Sequence, residues 1–280
     1  MKRLLIAGFG DIARRAAPCL ERRFALQRFS RALGFDLDRS ETLALEAADA
    51  VLHCAPPPGE GETDSRTANL LAALEKARIL PARVVYVSTS GVYGDCAGAR
   101  VDESRPPAPQ TARALRRLDA EHRLAQWCRS RGIPLLILRA PGIYAADRLP
   151  LERLRAGTPV LRAEDDVYTN HIHADDLAQI VARALDSEAP GGIYNAADDT
   201  ELKMGDWMDL VADTRGLPRP PRLPRVQAAG AIPPALLSFM QESRLLDNSK
   251  MKRRLGVRLR YPTVHEGLRH EHAAGVDQSA

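Results

Sequence analysis

A glycine-rich turn near the start of the chain has the residue types that bind a pyrophosphate. Residues 8–13 read Gly-x-Gly-x-x-Ala, between the apolar run Leu4 to Ala7 and a segment with helical spacing that reaches Leu20. In a strand, turn and helix of this kind, the first glycine permits the tight turn. The second lets backbone approach the anion at the helix amino terminus. A turn with a purely structural role is the alternative. The residues expected at a dinucleotide here are Gly8, Gly10, Asp11, Ile12 and Ala13.

The end of the second predicted strand bears on the choice between NAD and NADP. About 20 residues after the glycines, an NAD site usually offers an acidic side chain to the ribose hydroxyls. This chain has Gln27, Arg28 and Arg31 there instead. Because guanidinium groups pair well with a 2′-phosphate, NADP is the predicted cofactor and NAD the alternative. Both arginines could equally be solvated.

Apolar runs along the chain predict the sheet that positions this turn. Short runs of the kind buried in parallel sheets alternate with segments able to form helices. This alternation predicts an α/β fold, a Rossmann-like doubly wound parallel sheet. The runs after the first are 50–52, 84–87, 135–138 and 193–194, and the predicted helices are 12–20, 65–77, 112–131, 174–185 and 204–214.

One crossover is too short for a complete strand–helix–strand unit. The second strand is predicted to end near Arg28, and the next element lies near Gly34 to Leu37. A full crossover normally needs about 10–12 residues. We therefore expect either a crossover reduced to a loop or a different register in this region.

The pattern changes after Asn195, where a helix is followed by a proline-rich stretch and short helical pieces. This change predicts a smaller C-terminal substrate lobe. We predict a nucleotide-binding core of residues 1–142, to which residues 171–197 return, and a substrate lobe of residues 143–170 and 198–280.

The composition is that of an ordinary globular chain. Of 280 residues, 45% are hydrophobic and 27% charged, and the formal net charge is +4. Basic and acidic residues are interleaved, without a basic run that contains aromatic residues, which argues against nucleic acid as a partner. We expect a small-molecule substrate as the partner, and the sequence leaves a homodimer open.

Cysteine spacing and hydropathy bear on metals and location. The four cysteines are isolated, with no Cys-x-x-Cys pair and no histidine at metal-ligand spacing, so no metal site is predicted. The apolar run before Gly8 is far shorter than a signal-peptide core, and no later run approaches ~18 apolar residues. We therefore expect a cytoplasmic protein without a membrane partner.

Motifs over nearly the whole chain resemble those of a known family. With Val-Val-Tyr-Val-Ser-Thr-Ser-Gly-Val-Tyr-Gly at 84–94, the sequence is similar to extended or atypical short-chain dehydrogenases/reductases of the NAD-dependent epimerase/dehydratase kind. The resemblance continues at 139–144, 171–178, 193–195, 255–257 and 266–268. It implies cofactor contacts from Asp36, Leu37, Ala55, Pro56, Ser88, Pro141, Gly142 and Ile143.

The same resemblance implies a catalytic hydroxyl at Thr89, four residues before Tyr93. A hydroxyl there can hydrogen-bond a substrate carbonyl or hydroxyl during hydride transfer. Ser88 and Ser90 flank it as alternates. The other interpretation is that Thr89 only caps the end of its strand.

The helix after Pro109 departs from the family, because it has neither the Tyr nor the Lys of the Tyr-x-x-x-Lys pair. Aligning Glu121 with the family's glutamate places Arg113 at the tyrosine position and Arg117 at the lysine position, one helical turn apart. Arg117 could hold ribose hydroxyls as a fixed cation. A guanidinium does not readily donate a proton, so the general acid/base is unidentified.

Candidates for the missing acid/base are the phenol and imidazole groups that can move a proton near neutral pH. Tyr93 is assigned a catalytic role, and the substrate is expected to contact Ser90, Tyr144, His171 and His173. Each tyrosine or histidine could instead be a packing residue or a hydrogen-bonded structural residue.

These observations predict an NAD(P)-dependent oxidoreductase or epimerase/dehydratase acting on a small polar or nucleotide-sugar-like substrate. The atypical helix motivates a second hypothesis from another class. In that hypothesis the chain is a catalytically silent NAD(P)H-binding sensor or interaction protein.

Overall fold

The computed structural model describes residues 1–39, 43 and 45–276. The predicted strands and helices are present, with small differences at the ends, except that the element expected near Gly34 to Leu37 is not a strand. In chain order the strands are β1 (Lys2–Ala7), β2 (Phe24–Phe29), β3 (Ala50–His53), β4 (Val84–Thr89), β5 (Arg100–Val101), β6 (Leu135–Ala140), β7 (Gly142–Tyr144), β8 (Val160–Leu161), β9 (Tyr168–Thr169), β10 (His171–His173), β11 (Gly192–Asn195), β12 (Leu202–Lys203), β13 (Arg222–Leu223) and β14 (Leu245–Leu246). The α-helices are α1 (Asp11–Leu20), α2 (Ser65–Lys76), α3 (Ala112–Arg129), α4 (Leu151–Arg155), α5 (Ala174–Ala184), α6 (Met204–Thr214), α7 (Arg225–Ala231), α8 (Pro234–Leu237), α9 (Ser249–Leu255) and α10 (Val264–Val276).

Six parallel strands form the central sheet, in the order β11-β6-β4-β3-β1-β2. From β1 the chain first runs out to β2 and then returns to the other side of β1 to form β3. Open α/β sheets bind ligands outside the carboxyl ends of their strands, at such a switch point. The Rossmann-like, doubly wound sheet predicted from the sequence is thus confirmed.

Alternate residues of the strands face opposite helix layers. In β4, Val85 and Val87 belong to the core shared with α1 and α5, whereas Val84 and Tyr86 belong to the core shared with α2 and α3. Because both faces are covered, the strands are apolar on both sides, which explains their continuous apolar runs in the sequence.

The crossover after β2 is reduced to a loop. A 3-10 turn at Arg31–Leu33 follows β2 directly, and the described residues between that turn and β3 contain no strand. The second unit is therefore incomplete, and β2 forms the edge of the sheet. The element expected near Gly34 to Leu37 is not the next strand, which begins only at Ala50, so the register expected for this region is wrong. The described residues of the crossover form a loop with one 3-10 turn.

A third apolar core lies outside the sheet and joins segments far apart in sequence. It contains Leu154 and Val160 from the segment after β7, Trp207 and Val211 from α6, and Val264 from α10. These segments cannot bury their apolar faces separately, so they pack as a group next to the carboxyl edge of the sheet.

A buried ion pair ties α3 to β6 beneath that edge. Glu121 accepts hydrogen bonds from Nε and Nη2 of Arg139 at 3.1 and 2.7 Å, and from Oγ of Ser88 at 2.6 Å. The Arg139 and Glu121 side chains are only 2% and 4% exposed. Removing one partner would leave the other charge buried and unpaired.

We expect Glu121→Gln to lower the free energy of unfolding by about 3–5 kcal/mol, because the Arg139 cation loses its counter-charge in a dry environment. Denaturant-induced unfolding measures this loss. Arg123→Gln is the matched control on the same helix, since Arg123 pairs with Asp119 and is 39% exposed. Its expected change is within about 0.5 kcal/mol. An equal loss in both variants would contradict the structural role of the buried pair.

Candidate functional site

The glycine turn has the geometry that its two glycines require. Gly8 has φ +91°, and a Cβ there would lie 2.3 Å from the backbone nitrogen of Ala55. The Gly8 and Phe9 amides both donate to the Phe29 carbonyl, which fixes the turn against the end of β2. At Gly10, which caps α1, the nearest atom to a built Cβ is 4.0 Å away. The space in front of the helix is therefore open to a ligand.

The first turn of α1 carries an ionic network. Asp11 accepts from Nε of Arg15 at 2.9 Å and from Nη1 of Arg148 at 3.0 Å, and Arg15 also reaches Asp175 at 2.8 Å. Arg148 and Arg15 thus offset the Asp11 carboxylate, which would otherwise oppose a phosphate at the helix amino terminus, and Arg15 is shared with Asp147 and Asp175. Ile12 and Ala13 pack in the core beneath the turn.

A cavity of about 330 Å³ opens at the carboxyl ends of β1 and β3. It brings together six of the predicted cofactor residues with Arg31 from the loop after β2. The lining includes Gly8, Gly10, Arg31, Asp36, Leu37, Cys54, Ala55, Pro56 and Arg66.

Two arginines around this cavity differ from the sequence-based expectation. Arg28 does not line it, because its guanidinium pairs with Glu21 and lies 5.2 Å from the centre of the Phe9 ring. Its predicted contact with the cofactor therefore has no support in this geometry. Sequence reasoning missed Arg66, whose Nε and Nη2 donate to the two carboxylate oxygens of Asp38 at 2.8 and 2.7 Å.

Arg66 connects the two loops that line this cavity. Its Nη1 also donates to the carbonyls of Pro56 and Pro57 at 3.0 and 3.1 Å. Hydrogen bonding to this guanidinium lowers the pKa of Asp38. These hydrogen bonds of Arg66 connect the loop after β2 to the loop after β3, so both walls of the cavity are held in place.

A second cavity, of about 320 Å³, lies at the carboxyl ends of β4 and β6. It brings together Thr89, Ser90, Tyr144, His171 and the 141–143 segment, all predicted site residues. Residues that sequence reasoning did not assign to a site also line it, among them Arg148, Arg153, Asn170, Trp207, Phe239, Glu242 and Arg244.

Thr89 combines the two roles considered for it. Its Oγ1 accepts a hydrogen bond from the Gly91 amide at 3.2 Å, which caps the 3-10 turn after β4. An accepting hydroxyl keeps its own proton for donation. Because Thr89 also lines the second cavity, that proton can be offered to a ligand.

Ser88, Tyr93 and His173 lie outside both cavities. Ser88 is bonded to the buried Glu121, and the fully buried Tyr93 donates to Asn195 at 2.8 Å. Burial also raises the pKa of Tyr93. His173 caps α5 by accepting from the Asp175 amide, and its ring lies 4.1 Å from that of Tyr261. In this geometry all three have structural roles, in contrast to the site roles expected for them.

His171 and Tyr144 do line the second cavity. Burial lowers the pKa of His171 to about 3, so its imidazole is neutral in that range. Its ring lies 4.4 Å from that of Trp207. The Tyr144 hydroxyl donates to the Thr263 carbonyl at 3.4 Å.

Arg113 and Arg117 of α3 occupy different places. Nη1 of Arg117 donates to the Tyr86 hydroxyl and the Val87 carbonyl at 3.1 Å each, and to the Ala55 carbonyl at 3.5 Å. Arg117 therefore lies between the ends of β3 and β4. Arg113 lines the second cavity, with its guanidinium 4.0 Å from the centre of the Phe239 ring.

A larger cavity, of about 850 Å³, lies at the opposite, amino-terminal edge of the sheet. Its Arg83 donates to the backbone carbonyls of Ala184, Ser187 and Ala189, so the guanidinium is already hydrogen-bonded within the protein. The larger cavity is therefore not the candidate functional site. The cavity beside the glycine turn and the cavity beside Thr89 both lie at the carboxyl edge of the sheet, where proteins of this architecture bind ligands.

The fold and these two cavities define a dinucleotide-binding α/β protein. The chain belongs to the NAD dependent epimerase/dehydratase family, whose model matches residues 13–197. The family membership expected from the motifs is thus confirmed. In the part of the chain that the structure describes, no helix combines the length and apolarity that crossing a membrane requires.

Two curated relatives are enzymes with different named substrates. GDP-6-deoxy-D-mannose reductase of Pseudomonas aeruginosa is 30% identical over 162 residues, which cover 52% of this chain and 53% of that enzyme. The chain thus matches about half the length of that relative. A 3-diazoavenalumate denitrifying reductase of a Streptomyces species is 28% identical over 231 residues, covering 77% of this chain and 74% of the enzyme.

Solved structures share the fold over almost the whole chain. A protein of unknown function from Silicibacter pomeroyi is 28% identical with a TM-score of 0.78, covering 98% of this chain and 99% of that one. RMD from Pseudomonas aeruginosa, solved in complex with NADPH, is 20% identical with a TM-score of 0.73, covering 97% and 99%. The second likeness concerns the fold alone.

Proposed function

We propose that this chain is an NADP-dependent oxidoreductase that acts on a small polar substrate. The observation that carries this proposal is the pair of cavities at the carboxyl edge, with the glycine turn in the first and the Thr89 hydroxyl in the second. Arg117 lies between them, on carbonyls from the ends of both β3 and β4. A dinucleotide along this edge would place its two halves at the two cavities.

The residues of the first cavity fit the adenosine half of the cofactor. The amides at the start of α1 would bind the pyrophosphate, and the Arg31 guanidinium would pair with the 2′-phosphate. Asp36, Leu37 and the Ala55–Pro56 loop would enclose the adenine. NAD remains the alternative cofactor, since family membership alone implies a nicotinamide dinucleotide of either kind.

In the second cavity, Thr89 would donate its hydroxyl proton in a hydrogen bond to the oxygen of the substrate's reacting carbon. A bound nicotinamide would supply or accept the hydride, and solvent water would supply or accept the proton that accompanies it. Arg117 would hold the neighbouring ribose, and Pro141 to Ile143 would form the wall beside the ring. Arg113 stays charged, so it can polarise a substrate oxygen without transferring a proton to it.

The arginine at position 113, where the family has tyrosine, supports a second candidate function. Without a tyrosine to move the proton, the chain could bind NAD(P)H as a sensor or interaction protein. Turnover of NADPH with a panel of carbonyl compounds distinguishes the two functions. Turnover supports the oxidoreductase, whereas binding without turnover supports the sensor.

We further infer that residues 143–170 and the region after Ala197 form a substrate lobe beside the nucleotide-binding core. The third apolar core supports this division, because it joins those two segments. The two curated relatives differ in their named substrates. One named relative reduces a sugar-nucleotide compound, and the other is named for 3-diazoavenalumate.

We expect Arg31→Ala to weaken NADP binding by about 10-fold to 100-fold, because one charged hydrogen-bonding partner of the 2′-phosphate is lost. NAD affinity should change little, since NAD lacks that phosphate. Titration calorimetry with both dinucleotides measures the split. Arg28→Ala is the matched control, because Arg28 pairs with Glu21 outside the cavity. An equal effect of both variants on NADP would refute the role of Arg31.

A further inference from the structure

The wall of the second cavity contains a half-buried cation without a counter-charge among the described residues. Arg153, on α4, lines the cavity, and its Nε and Nη2 are buried without a hydrogen-bond partner among the described residues. Burial lowers the pKa of Arg153. Two of the three guanidinium nitrogens are thus withdrawn from water without a partner, which is costly, so this arrangement suits a protein that receives an anion at this position.

The charges around the cavity also favour an anionic ligand. Its wall contains four arginines and one glutamate, Glu242, which is bonded to Nη1 of Arg244 at 2.9 Å. Arg148 is bonded to Asp11 outside the cavity. Nε of Arg244 and Oε1 of Glu242 are both buried and lack a partner among the described residues, so this pair contributes no net charge. The field inside the cavity is therefore positive on balance, and it favours a negatively charged ligand.

The size and the apolar wall restrict the rest of the ligand. A volume of about 320 Å³ is at the low end of the roughly 300–1,000 Å³ found for small-molecule sites. The Thr89 end of the same space must also admit the nicotinamide. Trp207, Leu236 and Phe239 form an apolar surface across the remainder. This combination suits a compact carbon skeleton better than a nucleotide.

We propose that the substrate is a small organic acid, whose carboxylate is bound by Arg153 and whose reacting carbonyl or hydroxyl lies at Thr89. This inference rests on the proposed oxidoreductase function for the reacting group, whereas the anion site itself does not depend on it. The substrate class differs from the nucleotide-sugars that the family resemblance implies.

The test uses the full chain saturated with NADP and three kinds of ligand. Phenylpyruvate carries a carboxylate beside a carbonyl, phenylacetone is its uncharged counterpart, and UDP-glucose represents the nucleotide-sugars. Calorimetry should show phenylpyruvate binding at least about 10-fold more tightly than phenylacetone, since only the acid can pair with Arg153. Tight binding of UDP-glucose alone, or equal binding of the acid and the ketone, would overturn the proposal.

Arg153→Met separates an anion anchor from a structural arginine. We expect it to weaken phenylpyruvate binding by about 10-fold to 100-fold, with NADP affinity unchanged. It should also raise the thermal unfolding temperature of the ligand-free chain, because an unpaired, half-buried charge is removed. A structural arginine predicts a lower unfolding temperature. Arg153→Lys, which keeps the charge, should retain part of the binding.

Arg155→Met is the matched control two residues further along the same helix, where the side chain is 55% exposed and pairs with Glu152. It should leave phenylpyruvate binding unchanged, and an equal loss in both variants would refute the anchor. Titration of NADP into the free chain is done first. Lack of NADP binding together with Arg153-dependent binding of the acid would refute the oxidoreductase and retain the anion site.

Discussion

Replacing Gly10 with valine will reduce the affinity for NADP by at least about 100-fold while the chain stays folded. The cause is steric. A side chain at the cap of α1 would project into the open space in front of the helix, where the pyrophosphate must approach the amides. Because a built Cβ contacts nothing closer than 4.0 Å, the folded protein itself accommodates the change. Titration calorimetry measures the affinity, and thermal unfolding checks the fold.

Two further glycine variants serve as comparisons for Gly10→Val. Gly59→Val is the control, because Gly59 has open space around it and does not line the cavity. It should bind NADP like the wild type. Gly8→Val should instead destabilise the chain, since its Cβ would overlap the Ala55 backbone and its φ is positive. Unchanged NADP affinity in Gly10→Val would mean that the pyrophosphate does not bind at this turn.

Thr89→Val will lower kcat by about 100-fold to 1,000-fold, the usual cost of removing one hydrogen-bond donor from a reacting oxygen. Valine keeps the shape of threonine and deletes only the hydroxyl. The affinity for NADP should change little, because Thr89 does not line the first cavity. Steady-state kinetics with the best substrate of a carbonyl panel, together with calorimetric titration of NADP, gives both quantities.

Thr214→Val is the matched deletion of a hydroxyl, since Thr214 donates to the Leu210 carbonyl within α6 and lines neither cavity. It should leave kcat unchanged. A loss of stability in Thr89→Val with an unchanged kcat would contradict the catalytic role of the hydroxyl. Thr89 would then serve only as the cap of its 3-10 turn.

The sequence predicted the parts of this protein that local patterns determine. The apolar runs at β4 and β6 are continuous because both faces of the sheet are covered, and this signal is readable without the structure. The glycine turn was likewise predictable, since Gly8 and Gly10 are required by backbone geometry and by space for an anion.

Side-chain partners were much less predictable, because they depend on contacts between distant segments. Nothing local to Arg28 shows that its guanidinium turns towards Glu21 instead of the cavity. Tyr93 follows the family motif, yet it is buried against Asn195, 102 positions away. Arg153 and Arg244 come from separate segments, and only the folded chain shows them at one cavity.

The central claim, an NADP-binding site at the Gly8–Ala13 turn, is tested most directly by titrating NADP and NAD into the wild-type chain freed of bound nucleotide. We expect a single site that binds NADP more tightly than NAD. If calorimetry detects binding of neither dinucleotide, the claim is wrong.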